Sequence, residues 1–440
     1  MILIENAKAV NFYPASIESA IDIVIDDGMI VDKGKDLKSL YPQARVIDSG
    51  TFVSPGLVCS HNHFYSQLSR GMMVNIKKSY DFVQQLNNLW WRLDRAIDYD
   101  ITLDSSLSAC AEAVMSGVTS VIDHHASPNL IDGSLDAIEQ GFLTVGLRGD
   151  ICYEVTDRNG IDGATRGINE NVRYAKKVDK SLKEDKNFLL SSSIGAHASF
   201  TICDKTLEKL AGAVKSTNKG VHIHAAEDRF DAIDSRYRFK KNIIERLDDL
   251  QMINNRSIIV HGVYLSDIDI DILNKRDGFL VHNCRSNMNN SVGYNDHISS
   301  FKNVALGTDG IGSDMLTELK FAYFKQRDVN GTLNPEDFVK MLISGNEILQ
   351  RRFEGKKFGK IEKGYMADLV IWDYDSPTPL LPENLSGHLV FGLNSGNVKT
   401  VIINGKIVVM DKKPLFDYPG IMENSRKSAQ RLWNNMNKLN

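Results

Sequence analysis

Three stretches with different hydrophobic rhythms divide the chain. In residues 1–54 short apolar runs alternate with turns. Ile21-Asp22-Ile23-Val24-Ile25 leads into Asp26-Asp27-Gly28 and then Met29-Ile30-Val31, a hairpin signature. The end of the chain repeats that style, with strands over Ala367 to Asp373 and Val398 to Ile403 and a turn at Asn404-Gly405. Between these ends the pattern alternates helix and strand. Asp104 to Met115 places Leu107, Cys110, Ala111 and Val114 at helical spacing, and Gly117 stands where a C-terminal cap glycine belongs. Thr119 to Asp123 follows as a strand, and the same order recurs at Leu207 to Val214, with Gly220 before a strand ending at His224. Repeated units of this kind argue for a parallel sheet covered on both faces.

Several apolar runs close on a polar side chain. Phe52 to Ser60 leads to His61-Asn62-His63, and residues two apart on a strand project to one side, so both imidazoles can share one ion. His224 ends Gly220 to His224, His261 ends Ser257 to His261, and Asp309 ends Asn303 to Asp309. Polar residues at the C-terminal ends of strands read as catalytic in a parallel barrel. Candidates on four strand ends favour a closed (β/α)8 TIM barrel over an open sheet. Three imidazoles from His61, His63, His224 and His261 with the Asp309 carboxylate suit Zn2+ or Fe2+ with an open position for water. His222 shares the inward face with His224 one layer deeper and reads as a hydrogen-bonded interior residue.

Length and composition bound the rest. A barrel takes about 250 residues, so 440 leave material at both ends for a smaller composite β domain. The 52 basic and 56 acidic residues form no basic block, which excludes a nucleic-acid footprint. No apolar run approaches the ~20 residues that span a bilayer. The start, Met1-Ile2-Leu3-Ile4-Glu5-Asn6, lacks a signal peptide's basic segment and reads as a strand. Five scattered cysteines without a C-x-x-C suit a reducing cytoplasm.

The motifs Pro55-Gly56-Leu57-Val58 before His61-x-His63, His224-x-x-Glu227, His261-Gly262, Gly307-Thr308-Asp309-Gly310 and Gly364 to Val370 together resemble the amidohydrolase superfamily, in its deaminase and chlorohydrolase branch. Ser60 to Ser66, Asn88 to Arg95 and Asp123 to Pro128 are most similar to the SsnA-type aminohydrolases. The resemblance implies an α/β chain with a barrel over 55–365 and a composite β-sandwich from 1–54 and 366–440. It implies a cytoplasmic hydrolase that deaminates an amino-substituted purine, pyrimidine or pterin with one divalent metal per chain, Zn2+ or alternatively Fe2+. Loss of chloride or opening of a cyclic amide are the alternatives on the same site; a silent binding protein is argued against by the intact ligand set. The resemblance also implies a homodimer or larger homo-oligomer and a place in purine or related nitrogen catabolism.

Roles follow from the same resemblance. The superfamily pattern puts the metal ligands at His61, His63, His224 and Asp309; Asp309 doubles as base, Glu227 moves a proton to a ring nitrogen, and His261 steadies the nucleophile, with metal binding as its alternative role. Binuclear relatives carry a lysine or carboxylate at the end of strand four; Leu190 to His197 offers none, which favours a single metal, and His197 becomes a substrate contact. Arg148, read as the end of strand three, is expected to meet an anionic or carbonyl group. Trp90 and Trp91 lie about 100° apart on a helix; Trp91 is assigned to cap the substrate ring, its neighbour to the core. Asn283 and Asn287 match a pocket-lining loop, or hold that loop through backbone hydrogen bonds. Cys284 reads as a buried thiol, and His124 and His125 receive no defined role. Where oxopurine and triazine enzymes of the branch carry glutamine three residues past the second ligand histidine, this chain has Ser66, with Gln67 one place later.

Overall fold

The computed structural model describes residues 1–439. The first stretch supplies strands β1 (Ile2–Asn11), β2 (Ser16–Asp26), β3 (Met29–Gly34), β4 (Arg45–Ile47) and β5 (Phe52–Pro55). The middle supplies β6 (Leu57–Asn62), β7 (Val118–His125), β8 (Arg148–Tyr153), β9 (Leu190–Ser192) and β10 (Ile194–Ala198). It continues with β11 (Val221–Ala225), β12 (Ile258–His261), β13 (Phe279–His282) and β14 (Val304–Leu306). The last stretch adds β15 (Leu369–Trp372), β16 (Val398–Ile403), β17 (Lys406–Met410) and β18 (Lys413–Pro414).

Both ends of the chain build one nine-stranded sheet, ordered β18-β17-β16-β15-β5-β1-β2-β3 with β4 beside β1. The seam is antiparallel, Leu369 opposite Pro55 and Trp372 opposite Phe52. One apolar cluster joins the halves, with Ile4, Ile23 and Val53 packed among Leu369, Ile371 and Ile402. The two expected turns are two-residue hairpins, closed by Asp26 against Met29 and Ile403 against Lys406. Asp27, Gly28, Asn404 and Gly405 all take positive φ, as a type I′ turn requires and as Asp-Gly and Asn-Gly allow.

The middle forms two parallel sheets, β6-β7-β8-β9 and β10-β11-β12-β13-β14. The strand expected over Leu190 to His197 is broken at Ser193: β9 pairs with β8 and β10 with β11. Helices cross between the strands. The one expected from Asp104 runs Tyr99–Met115, because Asp98 caps it by accepting from Ile101 N–H, and Gly117 beyond it has φ +78°. The Leu207 helix runs Asp204–Thr217.

Strand three is a correction. The run Val145-Gly146-Leu147-Arg148 is not a strand end. Val145 closes the helix Ser134–Val145, Gly146 at φ +82° caps it, and β8 only begins at Arg148. The strand therefore ends five residues later, at Tyr153.

Candidate active site

The ends of β6, β11 and β12 and the turn after β14 bring the predicted polar residues together. Thr308 and Asp309 donate their backbone N–H groups to His61 O at 2.9 and 3.1 Å, drawing the last turn onto the first strand. Gly307 permits this approach, since a Cβ there would stand 2.4 Å from Asn283 Oδ1 and 2.9 Å from His61 Cβ. The Asn62 side chain reinforces it by donating to Thr308 Oγ1 at 2.7 Å. Ala226, His261 and Asp309 all take left-handed backbone conformations (φ 50°, 68° and 53°). Such positions cost non-glycine residues roughly 1–3 kcal/mol each and cluster where function holds them.

Four side-chain atoms converge. His63 Nε2 lies 3.2 Å from His224 Nε2 and 2.9 Å from Asp309 Oδ1. His61 Nε2 lies 3.3 Å from each of His224 Nε2 and Asp309 Oδ1. A tetrahedron with metal–nitrogen bonds of about 2.0–2.1 Å has edges of about 3.3 Å, so the spacing fits a zinc-sized ion. The tautomers fit as well. His63 Nδ1 donates to His124 O at 2.6 Å and His224 Nδ1 to His197 O at 2.9 Å. Carbonyls only accept, so both Nε2 atoms turn lone pairs toward each other, an arrangement that a cation between them stabilises. His61 completes the set by pairing its Nδ1 with His222 Nε2 at 2.8 Å.

The electrostatics agree. Burial pulls the His63 imidazole down, and the Asp309 carboxylate more than reverses this, to about 9. Burial pushes Asp309 up, but the His61 and His63 imidazoles beside it outweigh this and hold the carboxyl well below its ordinary range. The cluster stabilises positive charge at its centre.

Glu227 stands in the turn after β11. Asp231 pins that turn, accepting from Ala226 N–H at 2.8 Å and Phe200 N–H at 3.1 Å. Glu227 Oε1 accepts from Asn290 Nδ2 at 3.1 Å, and Oε2 lies 3.4 Å from His261 Nε2. Burial, opposed by His261 and aided by Asp309, pushes its carboxyl up to about 7. His261 is fully buried; its Nδ1 lies 2.8 Å from Asn287 Oδ1, leaving Nε2 between Glu227 and Asp309 Oδ2, the latter 3.9 Å away.

A cleft of about 800 Å3, counting its open mouth, reaches His63, His224, Glu227 and Asp309. His197, Trp90 and Trp91 all line it, so both tryptophans face the space expected of one. Ser66 lines it too, its hydroxyl donating to His63 O and Gly310 O, while Gln67 turns away to Glu112. Three expected contacts lie elsewhere. Arg148 is buried at the opposite end of its strand, paired with Asp368 through Nε–Oδ2 at 2.6 Å. Asn287 orients His261 from behind the cleft. Asn283 is buried beside His61 and Gly307 and does not line the cleft. Glu154, Ser286 and Asn290 also line the cleft, beyond the residues that the motifs point to. The run Ile151-Cys152-Tyr153 ahead of Glu154 has the same form as Ile258-Ile259-Val260 ahead of His261, which is the signal that marks it.

The amidohydrolase family matches residues 52–408. The chain belongs to the amidohydrolase family. It is 29% identical over 419 residues to the 5-methylthioadenosine/S-adenosylhomocysteine deaminase of Thermococcus sibiricus, covering 93% of this chain and 94% of that one. An adenosine deaminase from Xanthomonas campestris with bound zinc superposes with a TM-score of 0.82 at 22% identity, over 98% of both chains. Atrazine chlorohydrolase from Arthrobacter aurescens complexed with zinc superposes at 0.79 and 20% identity, over 98% of this chain and 100% of that one. These neighbours imply a TIM-barrel fold for this amidohydrolase. The resemblance read from the motifs is borne out, and with it a hydrolase acting on carbon–nitrogen bonds.

Proposed function

We propose that this amidohydrolase is a mononuclear metal-dependent aminohydrolase that releases ammonia from an amino-substituted heterocycle. The observation that carries the reading is the apposition of His61, His63 and His224 Nε2 with Asp309 Oδ1, beside Glu227 in an open cleft. Those four residues would hold one divalent ion, Zn2+ or Fe2+. The ion would lower the pKa of a water to about 7 and polarise the attacked carbon. Asp309 takes the proton of the attacking water. His261 Nε2 hydrogen-bonds the nucleophile, with Asn287 fixing its ring. Glu227, pushed to about 7, is poised to pass a proton to the ring nitrogen beside the attacked carbon. Adenosine-derivative deaminases among the relatives favour a purine-like ring, and Ser66 in place of glutamine counts against an oxopurine.

The reading includes closure of the two parallel sheets into one barrel over 55–365. Backbone bridges Asn62 to Asp309 and Val155 to Ala196, at the two gaps between the sheets, support it. The nine-stranded sheet from 1–54 and 366–440 would fold over its shared core as the sandwich. A cytoplasmic homo-oligomer is part of the same proposal; the five cysteines, none bridged, suit that compartment. Among the described residues no helix is long and apolar enough to cross a membrane.

Asp309→Asn and Glu227→Gln test the chemistry. Each is expected to keep the metal and cut turnover at least ~100-fold, as lost acid–base catalysis does. Turnover near that of the wild type in either variant defeats the mechanism.

A further inference from the structure

Glu154 is a cleft carboxylate for which the proposed reaction has no task. It follows Tyr153 at the end of β8 and is 4% exposed. Its Oε2 lies 3.3 Å from His124 Nδ1 and its Oε1 3.6 Å from His197 Nε2. Both imidazoles have their protons engaged elsewhere. His124 Nε2 sits 3.2 Å from His222 O, a carbonyl that can only accept, so Nδ1 carries a lone pair. His197 Nδ1 sits 2.8 Å from Thr201 Oγ1, whose own hydroxyl donates to Ala198 O, so Nε2 carries a lone pair as well. Glu154 and His197 Nε2 form a wall of acceptors on the cleft, with His124 Nδ1 buried behind it and not lining the cleft.

No donor meets it. His124 Nδ1 is buried without a partner. Arg158 stops 3.9 Å from Glu154 Oε1 and commits the same nitrogen to Asp94 at 2.8 Å. No lysine or arginine lines the cleft among the described residues. Buried acceptors facing an open cleft call for donors that arrive with the ligand. The flanking surfaces, Phe82, Trp91 and Phe200, suit a flat ring.

We propose that Glu154, with His197 beside it on the cleft, selects substrates that present an N–H edge to this wall, namely neutral or cationic azaheterocycles, and turns away rings bearing a carboxylate or phosphate. The inference rests on the proposed reading that the ring lies over the metal ligands. Its force comes from asymmetry: a site built to bond a polar group discriminates strongly against an analogue lacking it, because its own groups are left unpaired.

Equilibrium binding tests this without requiring turnover. The probes are 2,4-diaminopyrimidine, with N–H donors on both edges, and orotate, a ring of similar size bearing a carboxylate, titrated calorimetrically into the zinc-loaded full chain. The wild type is expected to bind the diamine at least ~100-fold more tightly than orotate, within the range set by mismatched buried polar groups. Glu154→Gln is expected to keep the zinc content and lose at least ~10-fold of the diamine affinity, about the worth of one charged hydrogen bond. Equal binding of the two probes by the wild type overturns the proposal, whether or not the variant folds. So does unchanged diamine affinity in Glu154→Gln, or loss of a second zinc ion from that variant, which would make the wall a metal site. Failure of the aminohydrolase reading is seen separately, as a wild type that holds no zinc or releases no ammonia.

Discussion

Arg148 separates a structural role from the substrate contact expected of it. Its side chain is fully buried, with Nε 2.6 Å from Asp368 Oδ2 and Nη2 3.0 Å from Asp368 Oδ1. The same Nη2 reaches Asn404 Oδ1 at 3.2 Å, so the start of β8 is tied to the strands that return from the chain's end. Arg148→Ala leaves the Asp368 carboxylate buried without its counter-charge, which costs about 3–5 kcal/mol. Unfolding entropy of roughly 2.1 cal/mol/K per residue over 440 residues comes to about 0.9 kcal/mol/K. The loss then appears as a fall in Tm of about 3–5 °C for cooperative unfolding. Adding Asp368→Asn to Arg148→Met removes the stranded charge and is expected to restore most of the stability. The assay is thermal unfolding alongside KM for any ring the enzyme turns over. An unchanged Tm with a raised KM would refute this account and return Arg148 to the substrate.

Other expectations concern the site itself. Glu227, at about 7, is mostly protonated below that pH and loses its proton as pH rises through it. If it donates to the ring, kcat/KM falls on the alkaline side of about 7, and Glu227→Gln abolishes that limb; a pH–rate profile without it contradicts the assignment. His222 touches the ligand His61 without joining the cage. His222→Ala should weaken zinc binding by about 10–100-fold, as loss of a ligand's hydrogen-bond partner does. A zinc-competition titration reads this, and unaltered affinity would show that His61 needs no such support.

The metal-ligand candidates were legible because each closes an apolar run, and a strand's two-residue period aims His61 and His63 to one side. Both hairpins were legible from Asp27-Gly28 and Asn404-Gly405, which accept positive φ. The bounds of strand three are hidden in the sequence because Val145 and Leu147 look continuous, while Gly146 between them caps a helix. The residue at the cleft end of that strand is Glu154, while Arg148 lies at its far end. Asn287 shows a different limit: its loop was recognisable, but sequence does not tell whether an asparagine meets a ligand or the histidine behind it. The break at Ser193 and the facing of both tryptophans depend on contacts distant in sequence, which periodicity does not carry.

The central claim, a metal-dependent aminohydrolase, is tested most directly by ammonia release from zinc-loaded protein across aminopurines, aminopyrimidines and pterins. The account predicts ammonia from at least one ring, lost on chelation and restored by adding zinc. Ammonia release that persists after the metal is removed, or zinc-loaded protein that releases none from any ring, would contradict it.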